Sequence, residues 1–405
     1  MTLSGVGGGA VGTAAGKPAR ASLALIALMF VAPFLLPYHR YPLTSYYSEW
    51  LALVLGIGAI LAFVAFRRRD GIPLPRVALL PLALAALIAA QAAAGQVPYG
   101  GQAIAAIAYL IWAGALIVLS ASLVRDLGPQ SVIRVLAWSL LVGGLLSALA
   151  GLLQQYYGSS SLVGSFVARK FGPALYGNIG QRTHFANYTS LALISLAYLH
   201  SAARLRGRFA VLLGIPLVLA LGLSGARIAW LFLLTALGLA LVFWRAHRES
   251  NEARSLAVLL GLVTVGFVVA QQLAVQAPFV PSGGVASTPT NRLFAEMGGP
   301  SERLQLWAES FWAFLQAPVF GWGWGGFPAM HFDYQSTHDA SAARVAYHQA
   351  HNLVLQVLVE TGAVGATLVV GGILQWLWGL RRGAFGLERW WQLAVLGVLA
   401  MHSLS

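Results

Sequence analysis

The stretch YHQAHNLVLQVLVETG at 347–362 sets two histidines, His348 and His351, at the head of an apolar run. Imidazole exchanges a proton near neutral pH, so a histidine in such a place is a candidate general base. His351 is followed by Asn352 at the start of a predicted helix, which ties it to a rigid element. Nearby arginines would disfavour its protonated form and keep it available as a base. A structural histidine at the membrane interface is the plainer alternative. Spaced i, i+3, the two histidines could also supply two metal ligands, with His331, Asp333 or His338 as a third. A zinc site needs at least three ligands at matching spacing. No established spacing is present, and the reading assigns no metal. Glu360 is the one acid inside a predicted span, and intramembrane acids are functional candidates by default. It lies nine residues beyond His351, about 13 Å along a helix and too far for direct pairing.

Arginines form the second set. Arg227, in LSGARIAWLF, stands at the start of a predicted span just after Gly225. A planar guanidinium grips phosphate oxygens in two-pronged fashion; the alternative is snorkelling to headgroups. Arg303 falls in the first turn of the helix predicted from SERLQLWAESFWAFLQAP, which opens at Ser301 and closes before Pro318. A cation there opposes the helix dipole, a mild cost that hints at a purpose. Arg182 and His184 lie in the polar, glycine-containing segment YGNIGQRTHFANYTS, which leads into a span. An interfacial anchor is the alternative for that pair.

These residues must be positioned by a membrane scaffold. The chain has 405 residues, of which 58% are hydrophobic and 9% charged, whereas soluble domains carry about 25% charged residues. Eleven apolar segments recur, at about 22–38, 50–66, 77–94, 102–124, 132–156, 184–203, 208–223, 227–244, 255–277, 351–380 and 391–405. The fold class is therefore all-α, a polytopic transmembrane bundle of about 11–12 spans. The last segment ends without a polar boundary, so a twelfth helix is expected beyond it. Residues 22–38 read as a retained first helix rather than a signal peptide, since many spans follow and no good cleavage site closes the run. The absence of cysteine excludes disulfides and thiolate chemistry. The net charge of +13 reads as topological, and no nucleic-acid-binding motif accompanies it.

With a flexible cytoplasmic tail at 1–21 and alternating spans, 17 of the 25 basic residues fall on the cytoplasmic side. The other eight include Arg182, Arg227, Arg292 and Arg303 and fall on the periplasmic side. Residues 22–277 then hold spans one to nine, with a loop near 157–183. Residues 278–350 form a large periplasmic loop, and 351–405 the C-terminal spans. Long ordered loops on a rigid scaffold are where function gathers. Within the large loop, Leu304, Trp307, Ala308, Phe311, Phe314 and Leu315 share one helix face, while Glu302, Gln305 and Glu309 lie elsewhere. This predicts an amphipathic helix in the membrane interface, with packing onto the other spans as the alternative. The GWGWGGF that follows is a turn allowing close backbone approach.

The pattern His351–Asn352, nine residues, Gly362, two residues, Gly365 resembles the O-antigen ligase family, within the polymerase/ligase superfamily of bacterial envelope glycan enzymes. LSGARIAWL, SERLQLW…PVFGWGWGGF and GNIGQRTHFANY resemble further family segments in the expected order, the last being similar to the related protein O-oligosaccharyltransferases. The resemblance covers roughly 165–405. It implies metal-independent transfer of a glycan from undecaprenyl diphosphate to an acceptor hydroxyl, with no cofactor; direct displacement would invert the anomeric carbon. It implies His351 as the essential histidine, Arg227 and Arg303 as diphosphate-binding arginines and Arg182 as a third. His348, Asn352, His184 and Glu360 are assigned supporting roles. The expected acceptor is lipid A–core, in lipopolysaccharide biosynthesis at the periplasmic face of the bacterial inner membrane, with membrane lipids as surroundings. Protein O-oligosaccharyltransferase and glycan polymerase are the alternatives within the superfamily. A transporter or flippase is the alternative from another class, and typically shows internal repeats and midplane charges. No repeat is found here, and the chemistry-capable residues gather toward one face.

Overall fold

The structure is a computed structural model that describes residues 11–39, 45–65, 71–157, 161–170, 174–276, 288–296, 302–337, 347–380 and 385–404. Ser301 and His338, and the first ten residues of the tail, lie outside the described residues. The helices are α1 (Val11–Met29), α2 (Tyr46–Ala65), α3 (Leu79–Ala93), α4 (Gly100–Leu127), α5 (Pro129–Tyr157), α6 (Ser161–Gly164), α7 (Arg182–Ser201) and α8 (Gly207–Leu223). They continue as α9 (Ile228–Ala246), α10 (Asn251–Gln276), α11 (Pro289–Glu296), α12 (Glu302–Gln316), α13 (Phe327–Thr337), α14 (Leu353–Leu380) and α15 (Leu387–Ser403). No strand occurs among the described residues. Eight of the described helices are long and apolar enough to cross a membrane. The other three predicted segments coincide with α7, α8 and α15. The chain divides into two compact units, one of Met1–Asp70, Leu123–Met297 and Phe385–His402, the other of Gly71–Ser122, Gly298–Ala384 and Ser403–Ser405.

The first unit is built around α7, whose residues are buried almost end to end. Thr189, Ser190 and Ser195 are wholly buried on it. A helix enclosed by other helices need not be apolar all round, and small side chains let its neighbours come close. Gly144 of α5 illustrates this: a Cβ there would lie 2.3 Å from the Ala192 Cβ. Trp391 of α15 donates to the Ser195 hydroxyl at 3.1 Å. The segment before α7 is held down by two buried amides. Gln154 donates to the carbonyls of Ala168 and Gly177 and accepts from the Gly177 N–H at 3.0 Å. Asn178 donates to Leu35 O and Phe166 O and accepts from Ala168 N–H. These bonds replace water for backbone groups that the loop would otherwise leave unpaired.

In the second unit α14 is not one straight helix. Gly362 has φ 62° and ψ −162°, which breaks it. The break frees backbone groups, and the turn at 318–322 takes them up. Trp322 N–H donates to Val359 O at 2.8 Å, Ala363 N–H to Pro318 O at 2.8 Å, and Val364 N–H to Val319 O at 3.2 Å. Buried Gln91 of α3 clamps the junction by donating to the carbonyls of Phe320 and Glu360. Gly321, at φ 70°, meets the break so closely that a Cβ would sit 2.5 Å from the Glu360 carbonyl carbon. The polar backbone inside an apolar helix is thus satisfied by protein.

Candidate active site

His351 is half-buried and holds φ 50°, the left-handed region. Histidine enters this region more readily than most residues, at a cost of about 1–2 kcal/mol. Strain of this sort persists only where the surroundings enforce it, and here they do. Asn352 caps α14, its Oδ1 accepting from Val354 N–H at 3.0 Å and Leu355 N–H at 3.3 Å. Gln356, one turn on, reaches back to accept from Ala350 N–H at 2.7 Å. Its amide then donates to Glu360 at 2.8 Å. The Glu360 carboxylate also accepts from the backbone N–H groups of Gly325 and Phe327. Glu360 therefore pins the glycine-rich turn and the start of α13 to the helix that carries His351. Its backbone partners come from a turn that sequence spacing alone does not bring to it.

Burial holds the His351 imidazole below its ordinary range, and the charge of Arg303 adds to the effect. A neutral ring at neutral pH can accept a proton. Arg303 and His351 thus share one electrostatic neighbourhood within the second unit. His348 is exposed, so the two histidines of the motif differ in setting. The chain around Tyr347 also meets α13: the Tyr347 ring stands edge-on to His351 at 5.9 Å and to His331 at 5.7 Å. His331 and Glu309 are both buried and bonded at 2.6 Å. Burial raises the Glu309 carboxyl and the bond to His331 pulls it back. Among the described residues no three His, Asp or Glu side chains gather as metal ligands. On α12 the exposed stripe is Leu304, Ala308, Phe311 and Leu315, while Leu306, Glu309, Ser310 and Ala313 face inward. Gln356 and Tyr347 are absent from the sequence reading. Gln356 was detectable as i+4 from Asn352 and i−4 from Glu360; nothing in sequence marks Tyr347.

In the first unit Arg227 is the N-cap of α9, half-buried, directly after a turn with Gly225 at φ 63°. Wholly buried Ser224 shapes that turn by donating to Leu221 O and accepting from Ala226 N–H. Arg292 of α11 donates to the Gly225 carbonyl at 3.2 Å. Arg182 opens α7 and is half-buried. His184, two residues further, stands 3.2 Å from His402 across their ring nitrogens. The His402 ring also tilts onto Phe232 of α9. The starts of α7 and α9, with their arginines, are thereby linked through one imidazole.

Residues 209–370 match the O-antigen ligase family. That segment contains Arg227, Arg303, His351, Asn352 and Glu360. Residues 175–200, which contain Arg182 and His184, match the protein glycosylation ligase family. The chain is also 27% identical over 361 residues to a general O-oligosaccharyltransferase of Acinetobacter baylyi. The alignment takes in 88% of this chain and 61% of that protein, so the chain spans about three-fifths of its relative's length. The family resemblance read from the motifs holds on both segments. With eight membrane-length helices among the described residues, the chain is a multi-pass membrane protein.

Proposed function

We propose that this protein transfers a glycan from a lipid-diphosphate carrier to an acceptor hydroxyl, with His351 as the general base. The observation that carries the reading is the build of the His351 site. A neutral, strained histidine is locked at a helix start by Asn352, Gln356 and Glu360, beside the Arg303 charge. Such a group is poised to take one proton in one direction. The acceptor oxygen attacks the anomeric carbon from the side opposite the diphosphate. A new C–O bond forms as the bond to the diphosphate oxygen breaks, inverting that carbon. The hydroxyl proton goes to His351, and the electron pair leaves with the lipid diphosphate. Arg303, Arg227 and Arg182 are assigned to the leaving group, whose developing charge guanidinium groups stabilise. The carrier of this reading is undecaprenyl diphosphate, and the site faces the periplasm of a bacterial inner membrane with the N-terminus cytoplasmic. The charge asymmetry of the loops supports that orientation.

The comparisons shift the favoured acceptor. The motifs alone favour lipid A–core. The match at 175–200 to protein glycosylation ligases and the relative named a general O-oligosaccharyltransferase favour a protein hydroxyl. The match at 209–370 keeps O-antigen ligation onto lipid A–core as the second reading. The test offers the protein, reconstituted in nanodiscs, an undecaprenyl-diphosphate glycan with either a pilin-like protein or lipid A–core. Glycosylated protein is the expected product. Product on lipid A–core alone would reverse the order, and no product on either would contradict the transfer reading.

A further inference from the structure

Glu309 and His331 form a buried pair that the proposed reaction does not use. Glu309 lies on the inward face of α12 and His331 on α13. Their side chains are bonded at 2.6 Å and almost wholly enclosed. On the other side of the ring, the Gln335 amide nitrogen lies 3.0 Å from His331 Nε2. An amide nitrogen donates and does not accept, so Nε2 accepts and the ring proton sits on Nδ1, facing the carboxylate. The imidazole is thereby fixed in tautomer and in plane. It is further stacked against Phe327, 13° from parallel.

The same ring is one wall for Tyr347, which also meets His351. The two ring pairs, His331–Tyr347 at 68° and Tyr347–His351 at 87°, form a continuous edge-to-face series from the buried pair to the candidate base. Edge-to-face contacts fix ring orientation as well as supplying area. Ala350, between Tyr347 and His351, is wholly buried beside Leu306 and Met330. The described residues just before α14, 347–352, are therefore held from two sides. One is the Gln356–Glu360 relay from its own helix. The other is this aromatic series from α12 and α13.

We infer that Glu309 and His331 are positioning residues, which act through Tyr347 to hold His351 in its left-handed conformation. The inference rests on the reading of His351 as the base, and it adds a consequence for α12. That helix carries both Arg303 and Glu309, so one rigid element sets both the arginine and the histidine. A shift of α12 moves both together.

The test uses the full chain in nanodiscs and two pairs of variants. Glu309→Leu removes the acceptor, and Glu309→Gln keeps one. Tyr347→Ala removes the ring, and Tyr347→Phe keeps it. Two quantities are read: the kinetics of glycan transfer, and the rate at which diethylpyrocarbonate modifies His351, followed by mass spectrometry with His184 as internal reference. Glu309→Leu and Tyr347→Ala should lower kcat about 10- to 100-fold, the scale of a small misplacement of a reacting group, with KM for the donor unchanged. They should also change the His351 modification rate severalfold while His184 stays constant. The Gln and Phe variants should restore both. If Glu309→Leu does not fold, the half-buried Tyr347 pair decides the matter alone. Unchanged His351 reactivity and kcat in folded Glu309→Leu and Tyr347→Ala would overturn the inference. Were His351→Ala to retain transfer, the reading of the base would fail, while the modification rates would still judge the positioning.

Discussion

Substituting Gly362 with alanine should strongly destabilise the second unit. The backbone there, at φ 62° and ψ −162°, belongs to a region essentially reserved for glycine, and holding another residue in it costs about 1–3 kcal/mol. A Cβ would also lie 2.3 Å from Val319 O, 2.4 Å from Val319 C and 2.7 Å from Gly321 N. All three are backbone atoms, so no side chain can rotate away. The turn must withdraw, and with it go bonds such as Ala363 N–H to Pro318 O and Trp322 N–H to Val359 O. A donor left unpaired away from water costs about 1–3 kcal/mol. Strain and one lost bond together come to about 2–6 kcal/mol, a large share of the roughly 5–15 kcal/mol that holds a typical protein folded. Gly371 lies on the same helix with nothing within 4 Å of its Cβ position, and alanine there should be neutral or stabilising by about 0.5–1 kcal/mol. Unfolding by sodium dodecyl sulfate in mixed micelles, followed by tryptophan fluorescence, separates the two. A Gly362→Ala midpoint equal to that of Gly371→Ala would refute the broken-helix account.

Three further outcomes follow from the geometry. Asn352→Ala removes the cap of α14 and should cost about 0.5–2 kcal/mol, with Asn352→Ser recovering most of it in the same unfolding assay. Arg303→Gln removes a charge that lowers the His351 pKa; that pKa then rises. Since the base works deprotonated, the acid limb of the kcat profile should move to higher pH, and a limb that stays put or moves lower would contradict the assignment. Chelators should leave transfer unchanged, as measured by product formation with and without excess EDTA; loss of activity restored by a divalent cation would contradict a mechanism based on arginine and histidine.

Much of the scaffold was legible because long apolar runs can only be membrane helices or buried ones. The exceptions have physical causes. Helix α7 hides its hydroxyl and amide side chains against other helices, so its composition understates its burial. Gly362 and Gly365 read in sequence as residues of close packing. Gly365 does lie near Leu87, 3.4 Å from where its Cβ would be, but Gly362 instead breaks α14, because a positive φ cannot be seen in a residue type. Glu360 was visible as a buried acid in need of a partner; Gln356, four residues before it, is legible as one, while the backbone N–H groups of Gly325 and Phe327 carry no sequence signature. Glu309 was placed off the apolar stripe of α12, and it is buried because that stripe faces outward. His351 and its neighbour Asn352 were legible as a pair. The left-handed turn that separates the setting of His351 from that of exposed His348 was not, since it depends on Gln356 and Tyr347 closing around it.

The measurement that bears most directly on the account is single-turnover glycan transfer by His351→Ala. The protein would be reconstituted in nanodiscs with saturating undecaprenyl-diphosphate glycan and a protein acceptor, and its folding verified by the same unfolding curve as wild type. The account predicts that the folded variant still binds donor and forms no detectable product. Transfer at the wild-type rate by that variant would contradict it.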